Sequence, residues 1–190
     1  MAKVRLGPTT NLLPMPALLI AVKTGEGRAN VLTVAWAGIV AGRPPMLALE
    51  IGQHYSTPFL EREKCFTANI PSTQQMVETD YCGMVSGSED PEKPKTCGFT
   101  LLPSTHVSAP IIAECPLNFE CRIVREVPVG ASKFYLAEIV ETHIDEEAME
   151  GNDIAPLKVD PLIFTPDGYY HALGPRLGQA WSVGAALKKG

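Results

Sequence analysis

The sequence predicts a mainly β protein, an antiparallel barrel with a few short helices inserted. Three observations carry this. Apolar runs of strand length are separated by turn residues, and 17 prolines and 16 glycines in 190 residues supply those turns. About seven such runs stand against two or three short helical patterns, and no helix recurs regularly between strands, as a parallel βαβ sheet requires. Two long runs, "ECPLNFECRIVREVPVG" and "SKFYLAEIVETHID", flank a loop with Gly130 and read as paired strands.

The elements follow in order. "PALLIAVKTGEGRANVLTVAWAGIV" gives two strands joined by a glycine-bearing turn, a hairpin signal. Lys3 and Arg5 before an apolar run from Leu12 to Val22 resemble a signal peptide, but Pro14 and Pro16 interrupt the run and no small-residue cleavage site follows, so the stretch is expected to be a buried strand. "PPMLALEIG" is the next strand, opened by prolines that donate nothing to a ladder. In "STPFLEREKCFTANIP" the pattern predicts a helix with Thr57 as N-cap, Pro58 at the first helical position and Glu61 and Glu63 early in the helix, followed by a strand at "CFTANI". "STQQMVETDYCGMVSG" is a second short helix ending in glycines, and "SEDPEKPKTCG" a polar loop. Near the C-terminus "DPLIFTPDGYYHAL" places Pro-Asp-Gly between two β-prone runs.

Composition narrows the function. A chain of 190 residues is expected to form one domain, residues 1–190, able to bury roughly 70% of its unfolded surface. A net charge of −5 without a basic stripe argues against nucleic-acid binding. No stretch approaches the roughly 20 apolar residues of a membrane span. Five cysteines, none in a C-x-x-C pair, point away from a disulfide framework and toward a reducing, cytoplasmic setting. Cys115 and Cys121 share parity and are expected on one face of one strand, and Cys82 is read as a reduced structural thiol.

No nucleophile elbow, Walker loop, zincin motif or dinucleotide fingerprint occurs, and the four histidines are widely spaced, so no catalytic residue and no metal site is assigned. Two stretches remain. In "HYSTP", residues 54–58, hydroxyls precede a proline-started helix; that serves either ordinary capping or an anion such as phosphate. In "NVLTVAW", residues 30–36, one strand face carries Asn30, Leu32, Val34 and Trp36 and the other Val31, Thr33 and Ala35, leaving amphipathic side chains at both ends of one face. With Lys93 in the polar loop, these groups suit a large planar ligand with hydrogen-bonding edges and a phosphate tail, the shape of flavin mononucleotide (FMN).

The sequence resembles the flavin reductase-like, FMN-binding split-barrel family, and within it the flavoredoxin branch. The resemblance rests on "NVLTVAW" at 30–36, "RPPMLALEI" at 43–51, "YST" at 55–57, "FTANIP" at 66–71, "YCGMVSG" at 81–87 with Lys93 following, "ECPLNFEC" at 114–121, "LAEIV" at 136–140 and "YYHALG" at 169–174. It implies an antiparallel split barrel that pairs into a homodimer with FMN near the subunit interface. Carried over by position, it sets Asn30, Thr33, Ala35 and Trp36 beside the flavin, Ser56 and Thr57 on phosphate or ribityl oxygens, Lys93 as the cation, and Phe164 near the ring, from the partner subunit if the dimer is so arranged. Ser132 stands where the family often has histidine. The implied function is an FMN redox protein: an NAD(P)H-dependent flavin reductase taking hydride from NADH or NADPH, or an electron carrier reduced by a redox protein partner. A non-catalytic FMN-binding module is the alternative.

Overall fold

The computed structural model describes residues 1–188. Short strand β1 (Met15–Pro16) precedes β2 (Leu18–Gly25), β3 (Arg28–Val34), β4 (Ala37–Gly42) and β5 (Pro45–Ile51). Helix α1 (Thr57–Glu63), β6 (Cys65–Ile70), α2 (Met76–Met84) and α3 (Lys93–Thr96) follow, with the small pair β7 (Leu101–Leu102) and β8 (Ile111–Ile112). The long hairpin is β9 (Leu117–Val129) and β10 (Ser132–Ile144). Beyond it lie β11 (Met149–Glu150), β12 (Asp153–Ile154), α4 (Pro156–Val159), β13 (Ile163–Thr165) and β14 (Tyr169–His171).

Seven strands form one sheet in the order β3-β2-β6-β9-β10-β5-β4, and every pairing is antiparallel. The sheet wraps around one interior: Leu18, Ile20 and Val22 of β2, Leu32 and Val34 of β3, Leu47 and Leu49 of β5, Phe66 of β6, Cys121 and Ile123 of β9 and Tyr135 of β10 pack together, with Leu60 of α1. The edge strands β3 and β4 are not paired to each other, which leaves the barrel split. The opposite face of β2 and β3 is also buried, because Leu19, Ala21 and Val31 meet Cys82 of α2, Phe99, Ile112 and Cys115. Two buried faces explain why β2 reads as an unbroken apolar run instead of an alternating one.

The expected class, the main hairpins and the Pro-Asp-Gly turn are those observed, and three local expectations are corrected. The first apolar run becomes strand only at Met15; Leu12 and Leu13 are exposed, since a chain entering through consecutive X-Pro steps has no ladder to join. The N-cap of α1 is Ser56, not Thr57, and α1 has no acidic residue in its first turn, because seven residues put Glu61 and Glu63 in its second half. Cys115 and Cys121 lie on opposite sides of the sheet: Cys115 sits in the turn before β9 while Cys121 points into the barrel. The Pro-Asp-Gly hairpin β13–β14 pairs with β1 in a separate three-stranded sheet, with Gly168 at φ +87° in its turn.

Candidate functional site

The chain leaves β3 at Val34, and Ala35 and Trp36 bridge to β4 outside the ladder, so the indole is half exposed, at 49%. Three clefts follow this path and share residues from one to the next. A polar cleft of ≈ 210 Å³ is lined by Asn30 and Thr33 of β3, His54, Tyr55 and Ser56, and the chain from Cys82 to Gly87 with Lys93. Thr33 and His54 pass it on to a cleft of ≈ 240 Å³ bounded by Ala35, Trp36, Glu50 and Gly52. Ala35 and Trp36 in turn border an apolar groove of ≈ 410 Å³ with Leu12, Pro14, Met15, Val40 and Phe134.

At the polar end the side chains are tightly held. The buried Asn30 amide donates to Ser56 Oγ at 2.7 Å, so the N-cap hydroxyl of α1 is turned toward β3 instead of toward its own helix. Lys93 is 1% exposed, and its ammonium donates to the carbonyls of Val85 at 2.6 Å and Cys82 at 3.3 Å, at the C-terminal end of α2. There the cation meets both orphan carbonyls and the negative end of the helix dipole. Burial pulls the Lys93 pKa below the usual lysine value, against the opposing pull of Asp90 and Glu89. An ammonium carries three donors, so these two bonds leave one N–H uncommitted.

Of the residues singled out in the sequence, Asn30, Thr33, Ser56 and Lys93 converge on the polar cleft, and Ala35 and Trp36 lie at the apolar end. The Thr33 hydroxyl is already spent on the Thr79 carbonyl at 2.5 Å, which ties β3 to α2. Ser132 opens β10 near the middle cleft: a Cβ built on Gly52 would stand 3.8 Å from Ser132 Oγ and 3.9 Å from His54 Nε2. Thr57 lies outside all three linings; its hydroxyl accepts from the His54 N–H at 3.1 Å and donates to the Gly52 carbonyl at 3.0 Å, holding the turn that presents His54 to Ser56. Phe164 also lies outside them in the single chain, opposite Met15 in the β1–β13 ladder, with its ring 5.9 Å from that of Tyr170.

Sequence reasoning by residue missed His54, Tyr55, Ser86 and Gly87 as cleft-forming groups. Gly87 gave the clearest available signal, a glycine just past a helix end in "MVSGSED". Its function is close approach: a Cβ there would fall 2.5 Å from Asn30 Oδ1 and 2.5 Å from Tyr55 Cδ1.

The chain is a split antiparallel barrel with adjoining clefts that run from buried polar groups to a half-exposed tryptophan. The family model described as the flavin reductase like domain matches residues 10–173, and the chain belongs to that family. Among solved structures it is similar to a flavoredoxin from Methanosarcina acetivorans, at 29% identity and a TM-score of 0.92 over 99% of this chain and 100% of that one. It is likewise similar to the flavoredoxin of Desulfovibrio vulgaris (Miyazaki F), at 31% identity and a TM-score of 0.90 over 96% of this chain and 100% of that one. An uncharacterized protein of Archaeoglobus fulgidus is 32% identical over 137 residues, 70% of this chain and 75% of its own length.

Proposed function

We propose that this chain is a single FMN-binding domain that works as a homodimeric redox protein, and that it reduces its flavin with NADH or NADPH. The observation that carries the flavin reading is the buried Lys93 in one cleft with Asn30 and Ser56, adjoining a second cleft that Trp36 bounds. Those residues fit the group. A phosphate end needs a cation and hydroxyl or amide donors already dry and fixed, and an isoalloxazine needs an apolar, aromatic wall with a polar rim. When bound, FMN supplies hydride acceptance at N5 and the capacity to pass electrons singly, so the protein needs no nucleophile of its own.

The residues then divide the work. Lys93 and Ser56 hold the phosphate and ribityl end, and Asn30 fixes the Ser56 rotamer. Trp36, with Ala35, walls the ring end, and the apolar groove beyond it leaves room for a flat nicotinamide. That groove favours the reductase over the pure carrier; the likeness to flavoredoxins supports the carrier as the second reading, with a redox protein as electron donor. The dimer is supported by the unpaired β4 edge, where Ile39 is 62% exposed and lies outside the groove lining, an apolar residue that a second copy would cover. In such a dimer Phe164 and Ser132 would complete the ring surroundings. Among the described residues no helix is long and apolar enough to cross a membrane, and all five cysteines are free, which fits a cytoplasmic protein.

Anaerobic absorbance titration of the FMN-loaded protein, dimeric by light scattering, tests the reading. Bleaching of the flavin band by NADH or NADPH supports the reductase, while bleaching by dithionite alone selects the carrier. Lys93→Met is expected to weaken FMN binding about tenfold, equivalent to ~1.4 kcal/mol. It should also cost about 1–3 kcal/mol of stability by stranding the Cys82 and Val85 carbonyls. Fluorescence titration and a thermal melt read the two effects separately, and unchanged affinity in a destabilised variant would reduce Lys93 to a helix-capping role.

A further inference from the structure

Cys82 and Cys97 are fifteen residues apart in sequence, yet their sulfurs stand 3.7 Å from each other, in van der Waals contact. Cys82 lies in the last turn of α2, is 2% exposed and lines the polar cleft. Cys97 is the C-cap of α3, where its N–H donates to the Lys93 carbonyl at 3.0 Å, and it is half-buried. The pair therefore brackets Lys93: the Cys82 carbonyl accepts from the Lys93 ammonium, and Cys97 closes the turn that begins at Lys93. The remaining thiols offer no comparable contact. Cys65 pairs with the Ser108 hydroxyl at 3.3 Å, Cys121 points into the barrel, and Cys115 is 1% exposed in the apolar cluster behind Cys82.

We propose that Cys82 and Cys97 form a redox-active dithiol that a hydroperoxide converts to an intramolecular disulfide joining α2 to α3. Cys97, the more accessible sulfur, attacks the O–O bond of the peroxide. An S–O bond forms, the O–O bond breaks, and the thiol proton leaves with the departing oxygen as water. The Cys82 sulfur then attacks the Cys97 sulfenic sulfur, the S–S bond forms, the S–O bond breaks and a second water departs. Two thiols and one hydrogen peroxide thus become one disulfide and two waters, with two electrons passing from sulfur to peroxide. A rotation of the side chains closes the contact to a bond of about 2.05 Å.

Burial raises both thiol pKa values, the effect being largest for Cys82, so reaction is slow at neutral pH and accelerates as pH rises and the Cys97 thiolate is populated. A reduced flavin releases hydrogen peroxide on meeting dioxygen, so a local oxidant follows if the flavin reading holds; the dithiol itself does not depend on it. The disulfide would fix the backbone on both sides of Lys93 and so set the polar end of the cleft.

The test exposes the reduced full-length chain, with and without FMN, to excess hydrogen peroxide, quenches it and counts thiols in denaturant. The expected fall is from five to three, with a digest showing Cys82 and Cys97 linked within one chain and dithiothreitol restoring all five. Cys97→Ser should keep its remaining thiols under the same exposure, and Cys82→Ser should lose one thiol to a sulfenic acid that dimedone traps. Retention of five thiols, a link through another cysteine or between chains, loss that dithiothreitol does not reverse, or equal loss in Cys97→Ser would each overturn the proposal. The flavin-free sample separates failure of the dithiol from failure of the flavin reading, since only the latter leaves the thiol result intact while FMN does not bind.

Discussion

Gly87→Ala is expected to lower FMN affinity by at least about tenfold, ~1.4 kcal/mol, and to lower stability by about 1–3 kcal/mol, as overpacking does. The added methyl would lie 2.5 Å from Asn30 Oδ1, 2.5 Å from Tyr55 Cδ1 and 2.7 Å from Tyr55 Cε1. Asn30 cannot yield cheaply, and the partly exposed Tyr55 ring can move only by leaving Phe59. Asn30 is buried and bonded to Ser56, and the Tyr55 ring packs against Phe59 with centroids 5.3 Å apart. Relief must come from the 85–90 turn moving outward or from Asn30 leaving Ser56, and either change alters the polar cleft. Gly83→Ala is the matched control. Its Cβ would sit 3.4 Å from Thr33 Cβ, and alanine gains up to ~1 kcal/mol of helix propensity over glycine, so affinity within about twofold of wild type is expected. Fluorescence titration with FMN and a thermal melt of both variants decide it; equal behaviour of the two would remove Gly87 from the cleft.

The largest loss of stability is expected at a residue that lines none of the three clefts. Glu120 of β9 is fully buried, and its carboxylate accepts from the backbone N–H groups of Thr105 at 2.7 Å, His106 at 2.6 Å and Val107 at 3.1 Å. His143 Nε2 of β10 stands 2.7 Å from Oε1, the oxygen that also accepts from Thr105. One side chain thereby pins the loop between β7 and β8. Glu120→Ala removes the charged acceptor of three backbone N–H groups, each such hydrogen bond contributing about 1.5–3 kcal/mol, and is expected to cost ~3–5 kcal/mol, or roughly 6–20 °C in Tm. Burial alone pushes the Glu120 pKa up, but the Thr105 N–H, the His143 ring and the His106 N–H outweigh it, and the carboxyl is held below its ordinary value of 4.5. A carboxyl with a depressed folded-state pKa stabilises at neutral pH and loses that contribution as pH falls through the lowered value. The Tm difference between wild type and Glu120→Gln should therefore be full near neutral pH and shrink below 4.5. A constant difference across that range would assign the cost to packing alone.

Why the rest of the site escaped sequence reasoning is visible in particular residues. Asn30 and Trp36 were legible because each interrupts an otherwise apolar stretch, but they do not share a strand face as expected: β3 ends at Val34, and Trp36 sits in the link to β4, outside the ladder. Ser56 and Thr57 look interchangeable in "HYSTP", yet the first turns to Asn30 and the second is consumed by the Gly52 carbonyl and the His54 N–H. Lys93 in a polar, proline-bearing loop has the signature of a solvated lysine, and only the fold buries it against the end of α2. Glu120 fits the alternating pattern of a long strand and gives no local sign that three backbone donors from another loop converge on it.

By itself the sequence determined the class of fold, the long β9–β10 hairpin, the glycine-bearing turns and the ordered set of short motifs that marks the family. These follow from local rules: strand period, proline and glycine geometry, and the spacing of apolar residues along one chain. Tertiary structure alone decided which hydroxyls remain free at the cleft, where the buried cation sits, that Cys82 meets Cys97, and that Phe164 stands apart from the clefts within one chain. Such features depend on contacts between segments far apart in sequence, and no periodicity within either segment encodes the distance between them.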